Sequence, residues 1–216
     1  MANIKELPFI EQKKLAQSES TSEAILIELY HIIRDNIYNI LVGSSEKEIA
    51  QLLASNPNTP VKILEELSQS YYEEIVDNPV FELLLLENSD RRFLKLCLAK
   101  STKTSAETLD KLSGESSLEI CREVARNNNT PADEFIKLAN KRAEHHDFSV
   151  RSTIASNSKT PVDILASLAQ DSDFNVRRAV ASNPNTPVIV LEKLLHDARQ
   201  SVRQASTKNL KNISNN

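Results

Sequence analysis

A seven-residue turn, Ala-Ser-Asn-Pro-Asn-Thr-Pro, recurs in phase along most of the chain and limits what it can fold into. Its clearest copies are Ala54-Ser-Asn56-Pro-Asn-Thr-Pro60, Ala125-Arg-Asn127-Asn-Asn-Thr-Pro131, Ala155-Ser-Asn157-Ser-Lys-Thr-Pro161 and Ala181-Ser-Asn183-Pro-Asn-Thr-Pro187. Weaker copies put Asn78, Ser101 and Asn209 at the Asn position. Successive copies are spaced 22, 23, 26, 30, 26 and 26 residues apart. Seven phased copies define an array in which each unit is one supersecondary element.

Each unit reads as two short helices. Thr followed by Pro predicts a helix start at Thr59, Thr130, Thr160 and Thr186, with the Thr hydroxyl as N-cap and Pro in the first turn. An acid three residues on completes a capping-box pattern at Thr104/Glu107, Thr130/Asp133 and Thr160/Asp163. Apolar residues then follow at helical spacing, as in Ile164, Leu165 and Leu168 or Val190, Leu191 and Leu194. The preceding element, Val-Arg-x-x-Val/Ile-Ala, is helical by the spacing of Val176, Val180 and Ala181, matched by Val150, Ile154 and Ala155. Asn56, Asn127, Asn157 and Asn183 fall between the two helices, where an Asn side chain ties a turn through neighbouring backbone groups.

A unit of about 26 residues cannot cover its own apolar face, so neighbours must stack. A Leu-x-Leu strand at a fixed phase, which a leucine-rich horseshoe needs, is missing, and HEAT or armadillo units are longer, about 40 residues. The pattern Val-Arg-x-x-Val-Ala-x-Asn-Pro-x-Thr-Pro-x-x-x-Leu-x-x-Leu resembles the leucine-rich repeat variant family of bacteria. The resemblance spans roughly 48–211 and is most specific over 150–195. It implies an all-α, right-handed solenoid of alternating α- and 3₁₀-like helices, and no established activity. One member of that family binds an iron–sulfur cluster through Cys residues ahead of its repeats. Residues 1–45 here contain no Cys, so the cluster is not carried over.

Two regions are expected: an N-terminal helical cap over 1–45, and a solenoid over 46–216 of about seven units, the last partial. Ser20-Thr-Ser-Glu23 reads as a capping box opening a long helix over 22–42, ended by Gly43. Its stripe of Leu26, Leu29, Tyr30, Ile33, Ile37, Ile40 and Leu41 suits a cap that closes the stack or, alternatively, a helix that forms a dimer or docks a partner. The run Leu83–Leu86 reads as buried on several sides, Lys141–His146 as an insertion lengthening one inter-repeat loop, and the C-terminal stretch as a disordered tail.

Among candidates for chemistry, Arg151, Arg177 and Arg203 share one phase, with Arg178 beside it. A column of Arg can grip carboxylates or phosphates in a forked geometry. The competing reading pairs each Arg with a nearby acid such as Asp147, Asp171 or Asp173 to hold repeats together. His145-His146-Asp147 lacks a third ligand at metal-site spacing. His31 and His196 stand alone. Cys97 and Cys121 form neither a disulfide framework nor a zinc pattern and fit a reducing cytoplasm. The chain has no nucleotide-loop, hydrolase-elbow or zincin motif, no signal-peptide pattern and no apolar run long enough to span a membrane.

Net charge is −4, divided as −7 over 1–146 and +3 over 147–216. A net acidic chain with few aromatics disfavours nucleic acid as a partner. The sequence therefore points to a cytoplasmic, non-catalytic scaffold that binds a protein and needs no cofactor. Its alternatives are a nucleic-acid binder using the C-terminal Arg column, or an accessory chaperone or lyase-like partner of an enzyme.

Overall fold

The computed structural model describes residues 3–34, 44–89, 91–143 and 148–215. Among them every regular element is helical: a 3₁₀ turn at Ile4–Glu6 and fifteen α-helices. The chain divides into two compact units, 1–101 and 102–216.

The first unit holds α1 (Phe9–Gln17), α2 (Glu23–Ile33), α3 (Ser44–Ser55), α4 (Val61–Leu67), α5 (Tyr72–Val76), α6 (Phe81–Glu87) and α7 (Arg92–Lys100). The odd-numbered helices form a row in which α1 touches α3, α3 touches α5 and α5 touches α7. The second unit holds α8 (Ala106–Ser113), α9 (Leu118–Arg126), α10 (Ala132–Ala143), α11 (Ser149–Ser156), α12 (Val162–Leu168), α13 (Phe174–Ser182), α14 (Val188–Leu194) and α15 (Gln200–Ser214). Here α9, α11, α13 and α15 form the row.

The repeat explains both rows. Ala54, Ala125, Ala155 and Ala181 are fully buried near the ends of first helices, and a methyl group there allows neighbouring backbones to approach closely. Val150, Ile154, Val176 and Val180 fill the space beside them, and Leu165, Leu168, Leu191 and Leu194 close it from the second helices. Burying such side chains contributes about 1.5–3 kcal/mol each. Second helices α12 and α14 are α-helical and seven residues long. Bonds of 3₁₀ type occur at their closing turns, where Asp171 N–H donates to Leu168 and Asp197 N–H to Leu194, three residues back, and at the opening of α14, where Val190 N–H donates to Pro187.

Several expectations are corrected. The Ser20/Glu23 box does not form: α2 starts after Ser22 and has no side-chain cap. Its expected continuation over 35–42 and its Gly43 stop lie outside the described residues. Leu84 is buried, but Leu83 and Leu86 face solvent. Lys141, Arg142 and Ala143 lengthen α10 rather than a loop. The C-terminal stretch is ordered as α15, which runs on to Ser214.

The repeat register also reaches further toward the N-terminus than the turn sequence reveals. Asn56 Nδ2 donates to the Ala16 and Ser18 carbonyls at 2.8 and 3.0 Å. Asn78 makes the same pair of bonds to Ala54 and Asn56, at 2.8 and 3.1 Å. Ser18 thus stands where Asn56 stands one unit later. Thr21 N–H donates to Ser18 as Thr59 N–H donates to Asn56. Residues 9–33 are built as a repeat that has lost its Asn and Pro.

Candidate functional site

The polar residues of the repeat are mostly turned inward, and the Asn ladder shows why. Asn183 Nδ2 donates to Ala155 and Asn157, both at 2.8 Å, and its Oδ1 accepts from Asn185 N–H at 2.9 Å. One side chain thereby closes its own turn and supplies two carbonyls at the end of the preceding first helix. Such carbonyls have no partner within their helix and are costly to bury unpaired. Asn157 bonds Ala125 at 2.9 Å, and Asn209 bonds Ala181 and Asn183 at 3.0 and 2.7 Å. Asn56 and Asn127 accept from the N–H two residues on, each at 2.9 Å. Ser101, too short for the ladder, donates to Glu73 at 2.7 Å.

The Thr residues work differently from expectation. Thr59 Oγ1 donates to Leu53 at 2.7 Å and Thr186 Oγ1 to Val180 at 2.6 Å; Thr130 and Thr160 do the same to Val124 and Ile154. Each hydroxyl reaches back six residues to the first helix instead of capping the second. The N-cap residues of α4, α12 and α14 are Pro60, Pro161 and Pro187, with no side-chain cap bond. The Thr160/Asp163 box is therefore not formed. The hydroxyl hydrogen goes to a carbonyl of the first helix that the fold buries, where an acceptor short of partners is costly. Where Pro is replaced by Ser105, that side chain accepts from Thr108 N–H at 3.3 Å and is the real cap of α8.

The Arg residues do form a phased series within the second unit. Arg151 donates from Nε and Nη2 to the two carboxylate oxygens of Asp171, at 2.6 and 3.1 Å. Arg177 repeats this on Asp197 at 2.6 and 3.1 Å. Its Nη1 holds the Asp171 and Ser172 carbonyls at 2.8 and 3.1 Å. Both carboxylates are nearly buried. The Arg177 fork, joined by the Arg199 N–H, holds the Asp197 carboxyl below the usual carboxylate range. Each clamp closes a unit on itself, joining its first helix to the loop that follows its second. Arg203 Nη1 holds Asp197 and Ala198 carbonyls at 2.6 and 3.0 Å in the same way. Its Nε and Nη2 meet no carboxylate among the described residues. Arg178 is exposed.

One buried acid escaped the sequence reading. Glu134 is only 1 % exposed. It accepts from Ser113 Oγ and pairs with Lys137, which also reaches Asp110 at 2.9 Å. The signal was present: Glu134 occupies the position filled by Ile63, Ile164 and Val190 in other units. Cys97 and Cys121 are buried and form no disulfide among the described residues, and burial pushes the Cys97 thiol up to about 12. His31 and His196 are exposed, and His145, His146 and Asp147 lie outside the described residues. No group of three metal-ligating side chains occurs among the described residues.

The outer side of the second helices is mixed, with Asp163, Glu192 and Lys193 exposed beside apolar residues. Val162 and Val188 open the second helices of consecutive units and are 56 % and 45 % exposed; Ile189 beside Val188 is 63 % exposed. Among the described residues no helix is long and apolar enough to cross a membrane.

An all-helical chain whose units are joined by an internal Asn ladder is a helical repeat protein. The sequence model of the family described as leucine rich repeat variant matches residues 174–199, one unit of the array. A comparison with curated proteins finds no match.

Proposed function

We propose that the protein is a cytoplasmic, non-catalytic scaffold that binds another protein along its second-helix face. The observation that carries this reading is the division of labour within the repeat. Asn, Thr and two of the phased Arg side chains are spent on bonds within the chain, while Val162, Val188 and Ile189 project from the second helices. Exposed apolar residues at one repeat position suit recognition of a protein surface. A stacked framework also loses little ordering entropy when it binds. A nucleic-acid reading draws no support from Arg151 and Arg177, whose forks are occupied by Asp171 and Asp197.

The test uses the triple variant Val162→Asp, Val188→Asp, Ile189→Asp as bait beside the wild type. Exposed sites of this kind change stability within about 0.5 kcal/mol each, so circular dichroism should show the same helix content. A protein retained by the wild type and lost from the variant supports the proposal. An identical retained set for both baits would sink it.

A further inference from the structure

We infer that the row α9–α11–α13 docks an extended acidic segment of a protein partner, with carboxylates on Arg122, Arg126 and Arg178. This goes beyond the second-helix contact and does not rest on it. Arg122 is half-buried, and its Nε is shielded from water with no hydrogen-bond partner among the described residues. A buried donor without an acceptor is costly. Ser152 fills the same repeat position on α11, so the stack itself does not need an Arg there. Arg178 fills it on α13, where it is exposed and makes no hydrogen bond or ion pair among the described residues. Arg126 lies one turn beyond Arg122 on the same side of α9. It is exposed and holds Glu123 at 2.6 Å, a surface pair weak enough to exchange.

The ground between these cations is polar. Arg126, Asn128, Ser152, Ser156 and Ser158 line a groove of about 480 Å³ where α9 meets α11. The side chains of Asn128, Ser152 and Ser158 make no hydrogen bond among the described residues, which leaves them for the backbone of a bound peptide. Helices α11 and α13 contain no Asp or Glu, and the two acids of the row, Glu119 and Glu123, are both on α9. No large apolar side chain is exposed on α9, α11 or α13. The chemistry of this row therefore differs from that of Val162, Val188 and Ile189.

Helix α9 touches α11 and α11 touches α13. Packed helices lie about 8–10 Å apart, so Arg122 and Arg178 are separated by roughly 16–20 Å, a span of about six extended residues. A carboxylate suits the flat guanidinium, which meets it with two parallel bonds. Nucleic acid is disfavoured, because three Arg on a chain of net charge −4 release few counterions. The one aromatic ring of these helices, Phe174, has the Arg199 guanidinium 5.2 Å from its centroid, so no bare ring is offered for bases to stack on.

The experiment titrates the full chain into a fluorescein-labelled peptide of alternating Glu and Asp, about ten residues long to exceed the span above, and reads anisotropy. Saturable binding that weakens with salt is expected. Arg178→Gln should weaken it about tenfold, the loss of one charge-assisted pair. Arg122→Met should weaken it as much without lowering the melting temperature, because an apolar chain replaces an unpaired donor. Lys211→Gln removes the same charge from α15, outside the row, and should leave the affinity within about twofold, since salt screens distant charges. Absence of binding, wild-type affinity in both Arg variants, or an equal loss in Lys211→Gln would overturn the inference. So would tighter binding of a labelled thymidine oligonucleotide of the same length.

Discussion

At the scale of single residues, the repeat depends on side chains that supply donors to backbone carbonyls. Asn is suited to the ladder because its amide carries two donors and an acceptor, and all are used at Asn183. Asp offers no donor when ionised, and Ser only one. Thr160→Val keeps the shape of the side chain and removes one of two donors to the Ile154 carbonyl, which Asn157 N–H still serves. It should cost about 0.5–1.5 kcal/mol, read as a lower urea midpoint with an unchanged slope. An unchanged midpoint would show that the Thr160 hydroxyl bond carries no weight. The position and importance of these residues were legible in the sequence. Their direction was not, because Thr before Pro reads as an N-cap, and only the packed structure shows the buried carbonyl six residues behind it.

At the scale of helices, two short elements are held by a shared clamp. The Arg177–Asp197 pair joins α13 to the loop after α14, and Asp197 also accepts from Arg199 N–H at 2.8 Å. Its depressed proton affinity makes a pH prediction with a definite sign. A carboxyl whose folded pKa lies below its unfolded value, about 3.9, contributes stability above that value and loses it as pH falls through the folded pKa. The wild type should therefore lose stability below about pH 4 more steeply than Asp197→Asn, which lacks that titration. Parallel acid-denaturation curves for the two proteins would contradict it. Helix boundaries followed the turns where Pro or an Asn side-chain turn was present. They were misjudged at α15, where Leu210 follows Asn209 in place of Pro and nothing stops the helix. The buried Glu134 was overlooked because a charge in a helix ordinarily faces water; its position in the repeat outweighed its chemistry once Ser113 and Lys137 were at hand.

At the scale of the whole molecule, stability is a sum over units and the contacts between adjacent ones. Asn56 and Asn183 share no partner: one bonds Ala16 and Ser18, the other Ala155 and Asn157. Losses from Asn56→Ala and Asn183→Ala should add within about 0.5 kcal/mol in the double variant, measured by chemical denaturation. A larger interaction energy would show cooperativity beyond neighbours. The turn sequence disclosed the array and its period, but not the degenerate unit at 9–33, whose Ser18 and Thr21 keep the backbone pattern without the Asn and Pro that advertise it.

The ladder has a polarity with a consequence for how the protein is made. Asn56, Asn78, Asn183 and Asn209 all give their amides to carbonyls of an earlier segment, never a later one. Ribosomes release the N-terminus first, and domains begin to form as they emerge. Each of these amides is therefore delivered to acceptors that have already left the tunnel. The nascent chain can lock its segments one after another without waiting for downstream sequence.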